Sequence, residues 1–443
     1  AEHRLRGYID SFLAHNAFAR RLAERMREET GTEFFEWVDH LLLGADQLPV
    51  LRASGMLEES VDAPPGTTVF WHPQAMMPRV VIAPESGPGT VPSRLAIRPE
   101  VLADFVAAHD LDTEIEGAIG ARLRRAVIHR ENGTTLVALE RLGYRGFVVR
   151  EPEGDWTHGV LRARELWRTR RRDFADDADG VRHAFARLDA VLAVVDVDAA
   201  CDLFFSEERR LWESRNRAAQ VQKRRQDRLG LGWGNHDHHT FRCSRAHFSD
   251  LMAFLQRLGF HKRERFYAGA EAGWGAQISE QPIAGIVVFA DVDLMPEETQ
   301  IDFSTQRLPA APRLGTVGLW CGLHGDSFLQ AGMHHLEARF DFARLRDQLA
   351  SEGIKTMPPF SDFDFLRQAF TEGERWRVRP ARVARLQESG LITPAQAEAF
   401  LREGAIGSHL ENLQRKGGFK GFNQKSVSVI IAATDPRKAQ SAH

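Results

Sequence analysis

Cysteine is scarce: Cys201, Cys243 and Cys321 are the only three in 443 residues, and they lie far apart. That spacing excludes a CxxC metal site and a dense disulfide framework, and it points to a reducing compartment. An excess of one charge is also missing. Lys and Arg number 58 against 61 Asp and Glu, a formal net charge of -3, so a polybasic nucleic-acid-binding chain is not expected. No run of eighteen or more apolar residues occurs, and the opening RLRGYIDSFLAHNAF is charged and amphipathic, without the apolar core of a signal peptide. The expectation is a soluble, cytoplasmic protein with no membrane or nucleic-acid partner and an oligomeric state that the sequence leaves open. Its composition is ordinary for a globular protein, 43% hydrophobic and 27% charged. At roughly 150 residues per domain, the length allows two or three domains.

Apolar residues at helical spacing (Leu5, Ile9, Phe12, Leu13, Phe18, Leu22, Met26) predict one or two helices before Thr30. EWVDHLLLG and VFWHPQAMMPRVVIAP read as strands, with QLPVLRASGML between them as a short helix stopped by a glycine. A mixed α/β domain is therefore expected over residues 1–150, with the outline of one degenerate βαβββ module. Residues from Ile97 to about Gly120 read as helical, and TTLVALERLGYRGFVVRE as a short α/β interlude. Residues 151–232 form a helical connecting region. Its last part, SEERRLWESRNRAAQVQKRRQDRLGLGWGN, reads as a long polar helix ending at Gly230, Gly232 and Gly234. Acids interleave the basic run from Arg209 to Arg228, which favours a solvated helix over a nucleic-acid footprint.

Residues 233–438 carry the strongest pattern. HDHHTFRCS reads as a strand, RAHFSDLMAFLQRLGF as a helix closed by Gly259, and RERFYAG, WGAQISEQ and AGIVVFADVDL as three strands, a βαβββ unit. The order restarts with GMHHLEARF, DFARLRDQLASEGI, PPFSDFDFLRQAF, SHLENLQRKGG and SVSVIIAAT. The fold class is α+β: paired βαβββ modules around a shared cavity, preceded by an α/β, helix-rich N-terminal domain. Strand alternation puts His236, His238, Thr240 and Arg242 on one face, and His335, Glu337 and Arg339 together on another. His239 and His334 then face away, although a one-residue slip exchanges each with its neighbour. Inward arginines need anionic partners, which a carboxylate ligand provides for Arg242 and Arg339; ion pairs with Glu337 or Asp237 are the alternative. Two histidines and one carboxylate make the facial triad of non-haem Fe(II) oxygenases. The carboxylate comes from Glu411, Glu337, Asp291 or Asp293, and periodicity does not choose among them.

This order of modules looks like the vicinal oxygen chelate superfamily, and about Gly234 to Lys438 is similar to the 4-hydroxyphenylpyruvate dioxygenase family. HDHHTF offers Asp237-His238 where that family has its first metal ligand, and GMHHLEA puts His335 at the second. LENLQRKGGFKGFN matches the third motif at Glu411, Gln414, Arg415, Lys416 and Gly417. Spacing agrees in kind: 97 residues separate His238 from His335, and 76 separate His335 from Glu411, about one module each. The resemblance implies Fe(II) held by His238, His335 and Glu411. It also implies substrate contacts from Gln414, Phe419 and Phe422, and a lid over Gly417 to Val429. The 2-oxoadipate dioxygenase/decarboxylase family, a relative, has an arginine four residues after its first metal histidine. Arg242 matches it, and Arg339 stands equivalently in the second module. The implied activity is that of a dioxygenase that takes a 2-oxo acid and O₂, decarboxylates the acid and hydroxylates the same molecule, with Arg242 and Arg339 as catalytic and substrate-binding groups. An extradiol-type ring-cleaving dioxygenase of the same superfamily and a non-catalytic ligand-binding protein are the other readings. The same ligands accept manganese or zinc. In the N-terminal half, EWVDHLLLG resembles the start of a module, with His40 in the corresponding place.

Overall fold

The computed structural model describes residues 1–84 and 86–421. Two helices, α1 (Glu2–His15) and α2 (Ala17–Arg25), open the chain and bury Leu5, Ile9, Phe12 and Leu22, the apolar face that the spacing predicts. The chain then runs through β1 (Val38–Leu43), α3 (Leu48–Ala53), β2 (Leu57–Glu59), β3 (Thr68–Trp71) and β4 (Arg79–Ile82). The same order repeats in β5 (Arg94–Ile97), α4 (Leu102–Ala108), β6 (Ile115–Glu116), β7 (Leu123–Glu131) and β8 (Thr134–Arg141). The sheet order is β2-β3-β4-β1-β5-β8-β7-β6, with β1 parallel to β4, β5 parallel to β8, and an antiparallel β1–β5 joint. The N-terminal half therefore contains two βαβββ modules where the sequence pattern indicates one. The second escapes notice because β5 and β6 are only RLAI and IE, too short for a strand signal, and the amphipathic α4 dominates the stretch.

Four helices follow: α5 (Trp156–Arg168), α6 (Asp177–Leu192), α7 (Val197–Glu213) and α8 (Arg217–Asp227). The polar segment over α7 and α8 is not a solvated helix. It breaks at Asn216, whose side chain caps α8 by accepting the Ala219 N–H at 2.9 Å, and Arg209, Gln222 and Gln226 are buried. Burial is tolerated because internal partners are present. Arg209 donates to Glu100 (3.3 Å) and to His239 (3.2 Å), and Gln222 donates to the Thr30 carbonyl (2.8 Å). The apolar side of these helices, Trp167, Phe204, Phe205 and Trp212, packs into one core with Phe241 on the strand that follows and Phe254 on the next helix. Burying each such ring contributes roughly 1.5–3 kcal/mol relative to exposure.

The third module is β9 (His236–Arg242), α9 (Phe248–Arg257), β10 (His261–Tyr267), β11 (Trp274–Gln281) and β12 (Ile286–Asp293), followed by α10 (Thr316–His324). Gly259, at φ 84°, ends α9 in the left-handed conformation that favours glycine. The fourth is β13 (His335–Arg339), α11 (Phe342–Ser351), β14 (Ser361–Phe363) and β15 (Leu366–Phe370). It is completed, after β16 (Glu374–Trp376), α12 (Pro380–Glu388) and α13 (Pro394–Glu403), by β17 (Ala405–Arg415). The order β10-β11-β12-β9-β13-β17-β15-β14 reproduces that of the first sheet. The expected strand SVSVIIAAT lies outside the described residues. Among the described residues no helix is long and apolar enough to cross a membrane.

Candidate metal centre

The three central strands of the second sheet, β9, β13 and β17, lie side by side, so residues far apart in sequence share one register. Glu337 stands opposite His238 on one side and Glu411 on the other, and His335 stands opposite Thr240 and His409. One irregularity sets the site. Glu337 faces His238 while Ala338 faces His236, so Asp237 is an extra residue in β9, a β-bulge. The bulge breaks the alternation expected for this strand. His238, Thr240 and Arg242 line a cavity on one face, whereas His236 turns to the other side, its ring 5.3 Å from that of His239.

The ligand atoms of His238, His335 and Glu411 all lie within 4.8 Å of one another, and all three residues are buried. His238 Nε2 is 2.9 Å from Glu337 Oε2, and His335 Nε2 is 3.1 Å from Glu411 Oε2. The Gln368 amide donates to both carboxylates, at 3.2 Å to Glu337 and 3.0 Å to Glu411. Behind His238, Asp237 Oδ2 lies 3.2 Å from Nδ1 and accepts from Arg415 at 3.0 Å; Arg415 also donates to Glu337 at 3.2 Å. Two aromatic walls hold the imidazoles in place: Phe289 stacks on His238 at 4.3 Å, and Phe370 lies 5.0 Å from His335.

Charge is crowded here. Burial and the neighbouring Glu411 push Glu337 up to about 8, and burial raises Glu411 as well. Burial also works against the charged His238, but Glu337 and Asp237 outweigh it and hold the imidazole at about 10. Burial opposes ionisation of Asp237 too, yet Arg415 keeps its carboxyl well below the usual range. Two buried carboxylates bridged by one amide and facing two imidazoles form a site that a cation relieves. Among the described residues the buried His335 Nδ1 has no hydrogen-bond partner. Two imidazoles and a carboxylate are a donor set suited to a divalent transition metal, and the residues fit one.

The other expected residues fall in different places. Glu337 stands in the site beside the triad and makes a second cluster with Asp237 and His238. Asp291 lines the far side of the cavity, in register with Arg242, and burial pushes it up to about 7 against the pull of that arginine. Asp293 instead caps α10, accepting the N–H groups of Gly315, Val317 and Gly318 at 2.6–3.1 Å. The Arg242 guanidinium reaches the cavity, 5.8 Å from the Trp320 ring. Arg339 does not line the cavity: it is bound to the Glu36 carboxylate at 2.9 Å, with Asp237 at 4.0 Å. Its partner comes from the N-terminal half, so no local pattern announces it. Gln414 lies on the face opposite Glu411 and Arg415, in register with Arg367, and Phe419 packs edge-on against Phe365 at 5.1 Å; neither lines the cavity. Phe422 and most of the expected lid lie outside the described residues. Gln368, His409 and Phe370 line the site without a sequence prediction. Gln368 and Phe370 alternate along LRQAF, and His409 stands two residues before Glu411; the antiparallel pairing of β15 with β17 that brings them together spans an insertion of one strand and two helices, which no local pattern shows.

No family model and no curated protein sequence matches the chain. Solved structures do. A variant of 4-hydroxymandelate synthase from Streptomyces coelicolor is 12% identical, covering 91% of this chain and 98% of that one, with a TM-score of 0.31. A protein assigned to the glyoxalase superfamily from Ralstonia eutropha JMP134 is 13% identical over 60% of this chain and 97% of that one, with a TM-score of 0.34. Methylmalonyl-CoA epimerase from Mycobacterium tuberculosis is 12% identical over 41% and 88%, with a TM-score of 0.24. These scores are low, and the fold rests on strand order and register: α+β, with βαβββ modules paired twice.

Proposed function

We propose that the chain is a vicinal oxygen chelate enzyme, an Fe(II)-dependent dioxygenase that oxidatively decarboxylates a 2-oxo acid and hydroxylates the same molecule. The observation that supports this most is the convergence of His238, His335 and Glu411 on one point in a buried cavity that also contains Arg242. Bound Fe(II) supplies a chelating template for the 2-oxo acid and the redox chemistry that O₂ requires. The protein's own groups do the rest. Gln368 fixes the Glu411 carboxylate, and the Arg415–Asp237 pair orients His238. Arg242 holds a substrate carboxylate by charge-assisted bonds. Phe289, Phe360 and Phe370 keep water away from the reacting atoms. The cavity has a volume of about 60 Å³.

One 2-oxo acid and one O₂ yield one CO₂ and a hydroxylated acid one carbon shorter, with one oxygen atom in the new carboxylate and one in the hydroxyl. The test is O₂ uptake by Fe(II)-loaded protein with a panel of 2-oxo acids that includes 2-oxoadipate and 4-hydroxyphenylpyruvate. Equal uptake of O₂ and release of CO₂ with one acid is the expected result. O₂ uptake with catechols and with no 2-oxo acid would replace this reading with ring cleavage, and tight binding of an acid without turnover would replace it with a binding protein.

A further inference from the structure

The first sheet has a cavity of its own, about 530 Å³, on the face of β1, β5 and β8 that corresponds to the metal-centre face of the second. The two sheets correspond strand for strand in register. His40 pairs with Ala96 and Ala96 with Val137, as His238 pairs with Glu337 and Glu337 with Glu411. The register shift after Val38 places Asp39 in a bulge, as Asp237 is in β9. Asp39 lies 2.7 Å from His40 Nδ1 and accepts two bonds from Arg141 at 2.8 and 2.9 Å, so the Arg415–Asp237–His238 arrangement is repeated as Arg141–Asp39–His40. The correspondence then fixes the other two positions: Arg94 stands where His335 does, and Val137 where Glu411 does.

This cavity has lost the donors for a metal and has gained a fixed cation. One imidazole, one guanidinium and one isopropyl group offer a single ligand atom, and the guanidinium repels a metal ion. The lining is otherwise that of an organic-ligand site. Leu42, Val81, Leu139 and Phe147 supply apolar walls; of the arginines that line it, Arg125 is paired with Glu116 at 2.6 Å and Arg141 with Asp39 at 2.8 Å, and Arg94 and Arg130 add two more guanidinium groups to the lining. Its volume falls in the usual range for small-molecule pockets, roughly 300–1,000 Å³. We propose that the first-half cavity is a metal-free binding site for a small organic carboxylate with an apolar body, held through its carboxylate by Arg94.

Calorimetric titration of the full-length protein tests this with hexanoate and phenylacetate as probes and inorganic phosphate as the control without an apolar body. Either carboxylate should bind more tightly than phosphate. Arg94→Ala should weaken binding roughly ten- to hundredfold, the loss of a charge-assisted bond. Arg94→Lys should recover part of it, and Val137→Glu, which sets a carboxylate beside Arg94, should compete the probe out. Glu411→Ala should leave probe binding unchanged, which separates this site from the metal centre. A melt of each variant reports whether it is folded. No binding by either carboxylate, equal binding in folded Arg94→Ala, phosphate binding as tight as the carboxylates, or loss in Glu411→Ala would each overturn the proposal.

Discussion

The two sheets of this molecule follow one strand plan executed twice, and on the cavity face of their central strands they differ in a few side chains. Both sheets join two βαβββ modules through antiparallel central strands, and both have a one-residue bulge at an Asp-His pair. Both also brace that pair with an arginine at the end of the last strand, Arg141 or Arg415. The brace therefore persists where no metal triad exists and does not by itself mark a metal site. What separates the halves is the residue pair on the neighbouring strands: the candidate ligands His335 and Glu411 in one, Arg94 and Val137 in the other. In both halves the bulged Asp lies between an arginine and the neighbouring imidazole, so its charge is paired whatever the adjacent strands offer.

The two halves should respond most differently to substitutions at the triad. Glu411→Ala or His335→Ala should abolish metal binding, measured as bound metal per chain, whereas His40→Ala should leave it intact; equal losses would mean that the halves are not distinguished in this way. Asp39→Ala comes next, because it strands the buried Arg141 and Arg79. Breaking a buried pair by removing one partner costs about 3–5 kcal/mol, to be read from urea unfolding, with bound metal unchanged in the folded fraction. Asp237→Asn sharpens the same contrast in the other half. It should lower metal affinity roughly 10–100-fold, as losses of groups that orient a ligand do. The smallest effect is that of pH. His238 is held protonated up to about 10 without metal, and a metal must displace that proton. Affinity should thus rise with pH, by up to about tenfold per unit between about pH 6.5 and 8.5, in Co(II) titrations. A flat profile would mean that His238 is not a ligand.

Much of the second half is legible in the sequence because its modules are long and its motifs are local. Asp237-His238, His335 and the LENLQRKGG strand each announce themselves, and the fold brings the three candidate ligands within 4.8 Å of one another. Local pattern fails elsewhere for three physical reasons. A bulge adds one residue to a period of two, so His236 leaves the face that alternation assigns to it. Short strands such as RLAI and IE carry no period at all, which hides a whole module of the first half. Partners supplied from afar cannot be seen in a window: Arg339 answers to Glu36, Arg209 to Glu100 and His239, and the polar α7–α8 segment is interior as a result. Burial of an arginine is decided by the whole fold.

A single metal site in a twice-repeated scaffold is tested most directly by metal analysis. Protein loaded anaerobically with Fe(II) and freed of excess should retain one ion per chain, fall to none in Glu411→Ala, and stay at one in His40→Ala. Two ions per chain, or retention in Glu411→Ala, would contradict it.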